Sequence, residues 1–438
     1  MDQLEDLLQR AGTLTLGRLA DVNRQDSGAV HDLVESVAEQ LLKDTDPKVL
    51  ELLASHNAPL RNSPTLSPND PQLTDLHALP FVMRRGDDTD MEEVVCNRGL
   101  EFDHSTTKKV TWMRWKNSRP QSVLIIKKKG DPECAEKLME MANWLDSLGV
   151  VVVVEPDVRR EVVDADDGLT FVRTFNPGED LCSPPRLDLV ICIGGDGTLT
   201  WAAGLFNTGP MPPTIAFAAG SLGFLTPISL SSYMSTLFPV IQPDRHPKHR
   251  ILLTCRMRLF VRVERARPLR GDSKVECQVL NEVLIHRGAS GQLVKLECYV
   301  DGSFITLVQG DGVILATPTG STAYSLAAGG AMVHPSVPAI LMTPVCPHSL
   351  SFRPVVLPDS AQVKIVIPPT ARSSANASFD GRTGIDLMPG DAIHVSVSRW
   401  PLPAICARNE TADWFKSVNG ALKWNDRAEQ KALAGGVK

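Results

Sequence analysis

The chain has 438 residues, 43% of them hydrophobic and 22% charged, a composition typical of a soluble globular protein with two or more domains. Its net charge of −6 predicts no nucleic-acid or membrane partner, and no apolar run approaches the roughly 20 residues of a membrane helix. Nine scattered cysteines without CxxC or zinc spacing, and three acidic residues among the first ten, predict a reducing, cytoplasmic location.

Residues 1–109 are predicted to form an N-terminal extension, helical at first and then a proline-rich linker. Its apolar residues recur at helical spacing and favour a packing or oligomerisation helix; they are Val30, Leu33, Val34, Val37 and Leu41. The linker, SPTLSPNDP at 63–71, is predicted to hold no regular structure because prolines interrupt it.

Residues 110–245 are predicted to form an α/β domain. A helix at 131–149 has Asp at its cap, Pro at its first position and Gly at its end. Short apolar runs predict strands beginning at Ser122, Val150, Leu187 and Thr214. Such alternation predicts a parallel sheet whose ligands bind beyond the carboxyl ends of its strands. The run that begins at Leu187 leads directly into GGDGT at 194–198. We therefore expect this turn at the ligand site.

Residues 246–400 are predicted to form a β-rich domain. Apolar and polar residues alternate over 251–266, and Asp301-Gly302 is a strong hairpin signal. The remaining segment, 401–438, is predicted to pack back on the α/β domain.

The glycine turn does not match the common phosphate-binding loops. A Walker A loop needs GxxxxGK[ST], which the sequence lacks, and a Rossmann fingerprint needs glycine where Thr200 stands. A tight turn in which Asp196 caps a helix is the purely structural alternative.

A second glycine-rich segment, GDGVILATPTGSTAY at 310–324, offers backbone amides, hydroxyl groups and one aromatic ring, which suit phosphates, a sugar and a base. Upstream, Asn281 and Glu282 lie among apolar residues. Burying such a pair is costly without partners, so it predicts either a ligand contact or an internal hydrogen-bond network.

Together these segments resemble the NAD kinase family over about residues 110–425. GGDGT also occurs in lipid kinases and, loosely, in phosphofructokinases. The more specific segments are GSLGFLTP at 220–227, LNEV at 280–283 and TPTGSTAY at 317–324. Two further segments, PHSLSFRPVVLP at 347–358 and SFDGR at 378–382, resemble the animal-type, cytosolic branch.

The resemblance implies transfer of a phosphoryl group from ATP, with Mg²⁺, to the 2′-hydroxyl of the adenosine ribose of NAD, which gives NADP. It implies an α/β N-terminal domain with a parallel sheet plus a β-rich C-terminal domain, the NAD kinase / diacylglycerol kinase-like fold, with the active site between them. It also implies a homo-oligomer, dimer or tetramer, and no tightly bound organic cofactor.

By position, Asp196 matches the family's catalytic aspartate, and Tyr324 the surface on which adenine stacks. The residues implied to bind substrate or nucleotide are Gly195, Gly197, Thr198, Asn281, Glu282, Asp311, Thr322, Ala323, Tyr324, Ser325, Leu326 and Ala327. Three further positions, where relatives carry polar or basic ligand contacts, are Gln292, Gln309 and Arg382. No protein motif for a metal is present.

A carboxylate among phosphate-binding glycines is reasonable if a hydroxyl lies beside it, because it can orient the hydroxyl and take its proton. Whether Asp196 acts as base, as metal contact or as both stays open, as does the choice between NAD and NADH. The alternatives are a lipid kinase that shares GGDGT and a non-catalytic dinucleotide sensor.

Overall fold

The computed structural model describes residues 81–86, 91–96, 111–115, 119–165, 167–182, 186–245, 251–267, 275–382, 384–406, 408 and 410–426. The predicted N-terminal helix and the proline-rich linker lie outside these residues. No helix of the described part is long and apolar enough to cross a membrane.

Strands dominate the described residues. The first ten are β1 (Phe81–Gly86), β2 (Met91–Cys96), β3 (Thr111–Trp115), β4 (Ser122–Lys127), β5 (Val151–Val154), β6 (Arg173–Thr174), β7 (Leu189–Gly194), β8 (Thr214–Ala218), β9 (Ile228–Ser229) and β10 (Ile251–Arg256). They are followed by β11 (Leu259–Glu264), β12 (Glu276–Val279), β13 (Glu282–His286), β14 (Val294–Val300), β15 (Ser303–Gly310), β16 (Gly312–Ala316) and β17 (Ala339–Val345). The last six are β18 (Val355–Pro358), β19 (Val363–Val366), β20 (Ala375–Phe379), β21 (Ile385–Leu387), β22 (Ala392–Val397) and β23 (Leu402–Ile405).

The α-helices of the described residues are α1 (Pro132–Ser147), α2 (Pro156–Ala165), α3 (Asp196–Leu205), α4 (Tyr233–Ile241), α5 (Tyr324–Ala327) and α6 (Glu410–Leu422). In the same part of the chain, four short 3₁₀ helices accompany them at Asp167–Phe171, Leu230–Ser232, Pro243–Arg245 and Thr319–Thr322.

The predicted helix at 131–149 is confirmed together with both of its signals. The carboxylate of Asp131 accepts the N–H of Cys134 at 3.3 Å, and proline takes the first turn. At the other end Gly149 has a φ of +72°, a conformation that suits glycine. The helix therefore begins and ends where its capping residues stand.

The first sheet runs in the order β2-β1-β3-β10-β23-β8-β7-β4-β5-β6, with β9 beside β8. Strands β23 to β6 are parallel, and β2 to β23 pair antiparallel. Alternate residues of the parallel strands pack into two apolar clusters, one on each face. This arrangement confirms the predicted α/β architecture and puts the end of β7 at the carboxyl edge of the sheet. The sheet is mixed rather than wholly parallel, because the strands from β2 to β23 add an antiparallel half.

Two antiparallel six-stranded sheets form the β-rich domain. Their orders are β12-β11-β22-β19-β14-β15 and β18-β17-β16-β13-β20-β21, and their facing residues share one apolar core. The predicted hairpin between β14 and β15 turns at Asp301 and Gly302, whose φ values are +50° and +77°. The predicted β-rich domain is confirmed.

Strand β10 joins a different sheet from the one that its position in the sequence suggests. It was expected to open the β-rich domain, yet it pairs with β3 and β23 in the first sheet. The alternation over 251–266 is therefore two strands in two sheets, β10 and β11. Alternation shows which side of a strand is buried and carries no information on which neighbour it pairs with.

Segment 401–438, predicted to pack back on the α/β domain, is described in part. Strand β23 pairs in parallel with β8, and α6 follows it. Residues 427–438 lie outside the described part.

Candidate active site

The turn after β7 leaves open space on both sides of Asp196. A Cβ atom built on Gly195 or on Gly197 would meet nothing within 4 Å. One on Gly194 would lie 2.2 Å from the hydroxyl oxygen of Thr198, so Thr198 packs against the turn. Helix α3 begins at Asp196. The N–H of Thr198 donates to Gly195 O at 2.9 Å, whereas the N–H groups of Asp196 and Gly197 come before the first intrahelical bonds. The turn therefore offers room and free donors for an anionic group.

The carboxylate of Asp196 is held by the segment 220–227. Its Oδ2 accepts the N–H of Phe224 at 2.9 Å, and its Oδ1 accepts the N–H of Leu225 and the hydroxyl of Thr226, each at 3.0 Å. A Cβ at Gly223 would lie 2.0 Å from Oδ1, so this approach requires glycine. The alternative that Asp196 caps α3 is wrong, since the cap is Gly195.

The bonding at Asp196 leaves one acceptor position. A carboxylate has about four lone-pair sites, and two of those on Oδ1 and one on Oδ2 are used. The remaining site belongs to Oδ2. The group is thus fixed in orientation and able to accept one more hydrogen bond.

A second turn, between β12 and β13, presents Asn281. The carboxylate of Asp380 accepts the N–H groups of Leu280 at 2.9 Å, of Asn281 at 2.6 Å and of Glu282 at 3.3 Å. Burial raises the pKa of Asp380, against the effect of these three donors. No role was predicted for Asp380 from the sequence, although an Asp-Gly pair at the end of a strand was a signal within SFDGR.

Glu282 is nearly buried, with 7% of its surface exposed. Its Oε2 has no hydrogen-bond partner among the described residues. Burial, followed by the nearby charge of Asp380, raises the pKa of Glu282 to about 7. The carboxyl group is therefore able to donate or to accept a hydrogen bond near neutral pH.

The segment 317–327 packs directly on this turn. The hydroxyl of Thr317 donates to the carbonyl of Leu280 at 2.6 Å, and its N–H donates to Asn281 O at 2.9 Å. A Cβ at Gly320 would lie 2.1 Å from Asn281 O, which explains the glycine. The predicted pair Asn281-Glu282 and the predicted residues of this segment are thus brought together.

Within that segment the side chains differ in direction. Tyr324 is 42% exposed, as a stacking surface requires. The hydroxyl of Ser325 lies 2.8 Å from that of Thr343 in the interior, and Thr322 donates to Thr319 O at 3.1 Å. Ala323, Leu326 and Ala327 add no polar side-chain group.

Buried arginines that the sequence did not single out connect the two domains. Arg258, 1% exposed, donates to the carbonyls of Phe206 at 2.8 Å and Gly209 at 2.6 Å, just beyond the end of α3. Arg256 lies with one Nη 3.5 Å from Thr319 Oγ1 and the other 3.5 Å from Phe224 O. It thus stands between the segment that holds Asp196 and the one that carries Tyr324. An alternating strand pattern gives no sign of such a role.

Arg382, predicted as a ligand contact, lies on α3. Its guanidinium donates to the carbonyls of Thr200 and of Trp201, the latter at 3.2 Å. A Cβ at Gly204 would lie 1.5 Å from one of its nitrogens, so this glycine leaves room for it. A ligand contact by Arg382 stays a prediction, while its contact with α3 joins the domains.

Asp311, Gln309 and Gln292 are not brought together with the residues above. In the β13–β16 pair, Glu282 faces Ala316 and His286 faces Gly312. Five strand residues, 312–316, therefore lie between Asp311 and Thr317, whose N–H donates to Asn281 O, a span of roughly 20 Å at ~3.3 Å per residue. The chain spacing suggested proximity, but the intervening residues are extended.

At that far end, Asp311 Oδ1 pairs with Arg287 Nε at 2.7 Å. Gln309 lines a cavity of about 260 Å³ together with His348 and Ser351. The N–H of Gln292 donates to Ser290 Oγ at 3.1 Å. Ligand roles for these three residues stay predictions.

Two family models match the chain. They are described as the ATP-NAD kinase N-terminal domain, over residues 123–245, and the ATP-NAD kinase C-terminal domain, over residues 280–406.

Curated relatives carry related names. The chain is 45% identical over 354 residues to "Probable NAD kinase 2, chloroplastic" of Oryza sativa subsp. japonica, covering 81% of this chain and 35% of the relative. It is 36% identical over 309 residues to "NADH kinase POS5, mitochondrial" of Saccharomyces cerevisiae, covering 67% of this chain and 72% of the relative. The chain spans less than two thirds of the length of its plant relatives, 35%, 63% and 59% of three of them.

Among solved structures, yeast NADH kinase complexed with NADH superposes with a TM-score of 0.65 at 35% identity, covering 74% of this chain and 93% of that one. An NAD kinase from Archaeoglobus fulgidus in complex with ATP superposes with a TM-score of 0.50 at 20% identity, covering 68% of this chain and 99% of that one. At this identity the match supports the fold alone. The relatives named here are plant and yeast proteins, so they do not distinguish an animal-type branch.

Proposed function

The chain belongs to the NAD kinase family, and on that premise we propose that it transfers the terminal phosphoryl group of ATP to the 2′-hydroxyl of the adenosine ribose of NAD. The product is NADP. The observation that carries the proposal is the carboxylate of Asp196, which three donors hold in place while one acceptor site of Oδ2 stays free.

The chemistry asks two things of Asp196. Its Oδ2 accepts the hydrogen bond of the ribose hydroxyl and so directs the oxygen at the phosphorus. As the bond from the 2′-oxygen to phosphorus forms, the bond to the leaving oxygen of ADP breaks and the proton passes to Oδ2. A positioned base of this kind contributes roughly 10²–10⁴-fold to the rate, and the loose transition state makes the hydroxyl acidic late.

The donor phosphates have a place beside this group. Gly195 and Gly197 leave open space there, and the N–H groups of Asp196 and Gly197 at the start of α3 favour negative charge. Glycine at both positions therefore lets a triphosphate approach the carboxylate without a side chain between them.

The acceptor is proposed to lie on the second turn and the segment 317–327. Asn281 and the partly neutral Glu282 supply hydrogen-bonding groups for the ribose and base, and the exposed ring of Tyr324 supplies a stacking surface.

We propose that Mg²⁺ enters with ATP and neutralises charge on the phosphates. The described residues contain no group of three or more His, Cys, Asp or Glu side chains arranged to hold a metal, and Asp196 has a single free acceptor site. This donor set fits an ion held mainly by phosphate oxygens and water, as Mg²⁺ usually is.

A lipid acceptor and a non-catalytic sensor are not favoured, because both family models and the named relatives are NAD or NADH kinases. One yeast relative is named an NADH kinase, so NADH is the alternative to NAD as the proposed acceptor. The animal-type branch and a cytoplasmic location are parts of the proposal. Support comes from the segments 347–358 and 378–382 and from eight described cysteines that are all free thiols; enrichment in an organelle fraction would contradict the location.

The test is an end-point assay on the full chain with ATP, Mg²⁺ and either NAD or NADH. NADP formation from NAD supports the proposal, and a product from NADH alone changes the acceptor. Phosphorylation of diacylglycerol or sphingosine without NADP, or NAD binding by calorimetry without product, overturns it.

A further inference from the structure

We propose that Ser417 of α6 is a positioning residue for Asp196 and acts through the peptide group that joins Gly223 to Phe224. The inference rests on the function proposed above, since it concerns the carboxylate assigned to the ribose hydroxyl. Ser417 lies in none of the segments that resemble the family's motifs, and it follows Asp196 by more than two hundred residues.

One peptide group connects the two side chains. The hydroxyl oxygen of Ser417 lies 2.7 Å from the carbonyl oxygen of Gly223 and 3.1 Å from that of Asp413, one helical turn earlier. A serine hydroxyl has one proton to donate, and the shorter distance assigns it to Gly223. The N–H of the same peptide group belongs to Phe224 and donates to Asp196 Oδ2 at 2.9 Å.

This connection has a physical effect on the carboxylate. When the carbonyl of a peptide group accepts a hydrogen bond, its N–H becomes a stronger donor, by an order of 10–30% per bond in condensed phases. The N–H of Phe224 is the donor that fixes Oδ2, the oxygen with the free acceptor site. Ser417 is 2% exposed, so bulk water does not take its place at Gly223 O.

The neighbouring peptide group has the same arrangement. Phe224 O lies 3.5 Å from an Nη of the buried Arg256, and the N–H of Leu225 donates to Asp196 Oδ1 at 3.0 Å. Two successive peptide groups thus have a buried side chain on the carbonyl side and Asp196 on the amide side. A segment built only to close over α3 does not need polar side chains behind both carbonyls.

The position of α6 does not depend on Ser417 alone. The hydroxyl of Thr254, in β10, donates to Glu410 at the start of the helix. The ring of Trp414 meets that of His334 edge-on, with centroids 5.1 Å apart. Removing the Ser417 hydroxyl is therefore expected to break the connection to Gly223 while the helix stays in place.

The kinetic test compares Ser417→Ala, Ser417→Thr and Thr254→Val in the full chain. Ser417→Ala leaves the carbonyl of Gly223 without its donor. The peptide group can then turn and misdirect the N–H of Phe224, so kcat is expected to fall about fivefold. The KM values for NAD and ATP should stay within about twofold, because the interaction serves the reacting hydroxyl rather than binding. Ser417→Thr keeps a hydroxyl and should recover most of kcat. Thr254→Val also removes a hydroxyl that anchors α6, without touching Gly223, and should leave kcat within about twofold.

Hydrogen–deuterium exchange of a peptide covering 220–227 provides a readout without turnover. Faster exchange in Ser417→Ala than in the wild type and Thr254→Val supports the connection through Gly223. The inference is overturned if Ser417→Ala exchanges at the wild-type rate, or if it keeps the kcat of a wild type that is active. It is also overturned if Thr254→Val loses as much kcat as Ser417→Ala. A wild type that forms no NADP refutes the proposed function instead, and the exchange comparison then still decides whether Ser417 restrains the segment over Asp196.

Discussion

Asp380 Oδ1 accepts the backbone N–H of Asn281 at 2.6 Å, across 99 positions of the sequence. The same carboxylate accepts the N–H groups on either side, those of Leu280 and Glu282. The turn that carries Asn281 is therefore held by a side chain from the SFDGR segment. Arg382, two residues later, contacts α3, so this segment supports both halves of the site.

Replacing Asp380 by Asn should weaken dinucleotide binding. Asparagine tolerates the φ of +51°, but its amide turns a donor toward backbone N–H groups that need acceptors. We expect KM for NAD to rise at least severalfold, with a smaller change in kcat. The free energy of unfolding should fall by about 1–3 kcal/mol. Asp301→Asn is the matched control, since Asp301 has a φ of +50° and accepts one N–H at the tip of a hairpin. Equal effects from both variants would contradict the assignment.

Replacing Asp196 by Asn should abolish phosphorylation. The amide cannot take the proton of the ribose hydroxyl, so we expect NADP formation to fall by at least roughly 10²-fold. The amide nitrogen would also face an N–H or hydroxyl donor of the segment 224–226, which lowers the free energy of unfolding by about 1–3 kcal/mol. NAD binding measured by calorimetry should stay close to that of the wild type. Near-normal turnover in this variant would remove Asp196 from the mechanism.

Local patterns predicted the parts of this site that lie within one segment. The turn GGDGT was expected at a carboxyl edge and the pair Asn281-Glu282 was expected to need partners, because strand runs and buried polar pairs are visible in sequence. The side chains that hold these turns from elsewhere in the chain were not predictable. Asp380, Arg256 and Ser417 reach their partners from distant strands or helices. Their spacing from those partners follows the sheet order, which no single segment encodes.

Stability should depend on pH through Glu282. Its pKa is raised from 4.5 to about 7 in the folded protein, so between these values the folded state binds more protons than the unfolded state. The contribution of this group is then fully present below pH 4.5 and is lost as pH rises through 7. Glu282→Gln, which resembles the protonated form, removes that loss.

Urea unfolding at pH 5 and pH 8 checks this sign. We compare the free energy of unfolding of Glu282→Gln with that of the wild type at each pH. The difference, variant minus wild type, should be larger at pH 8 than at pH 5 by up to the order of 3 kcal/mol. A difference between the two proteins that is the same at both pH values would show that Glu282 titrates normally.

Removing the ring of Tyr324 should affect the acceptor more than the donor. A stacked base is worth about 1–3 kcal/mol by alanine substitution, so Tyr324→Ala should raise KM for NAD about fivefold or more and leave KM for ATP within about twofold. Tyr324→Phe keeps the ring and should behave like the wild type. A larger change for ATP would assign the ring to the donor instead.

The edge strand β15 predicts how copies of the chain associate. Phe304, Ile305 and Leu307 are 58%, 54% and 42% exposed on this strand, which lies at one end of its sheet. An exposed apolar edge favours association. The family resemblance implies a homo-oligomer, so the expected partner is a second copy of the chain. We predict that Ile305→Asp combined with Leu307→Asp reduces the mass measured by light scattering to that of one chain. Met388→Asp, at an equally exposed apolar residue (56%) in the turn between β21 and β22, should leave the oligomer intact. An unchanged mass in the double variant would show that the copies meet elsewhere, because two buried carboxylates at a contact without partners cost several kcal/mol.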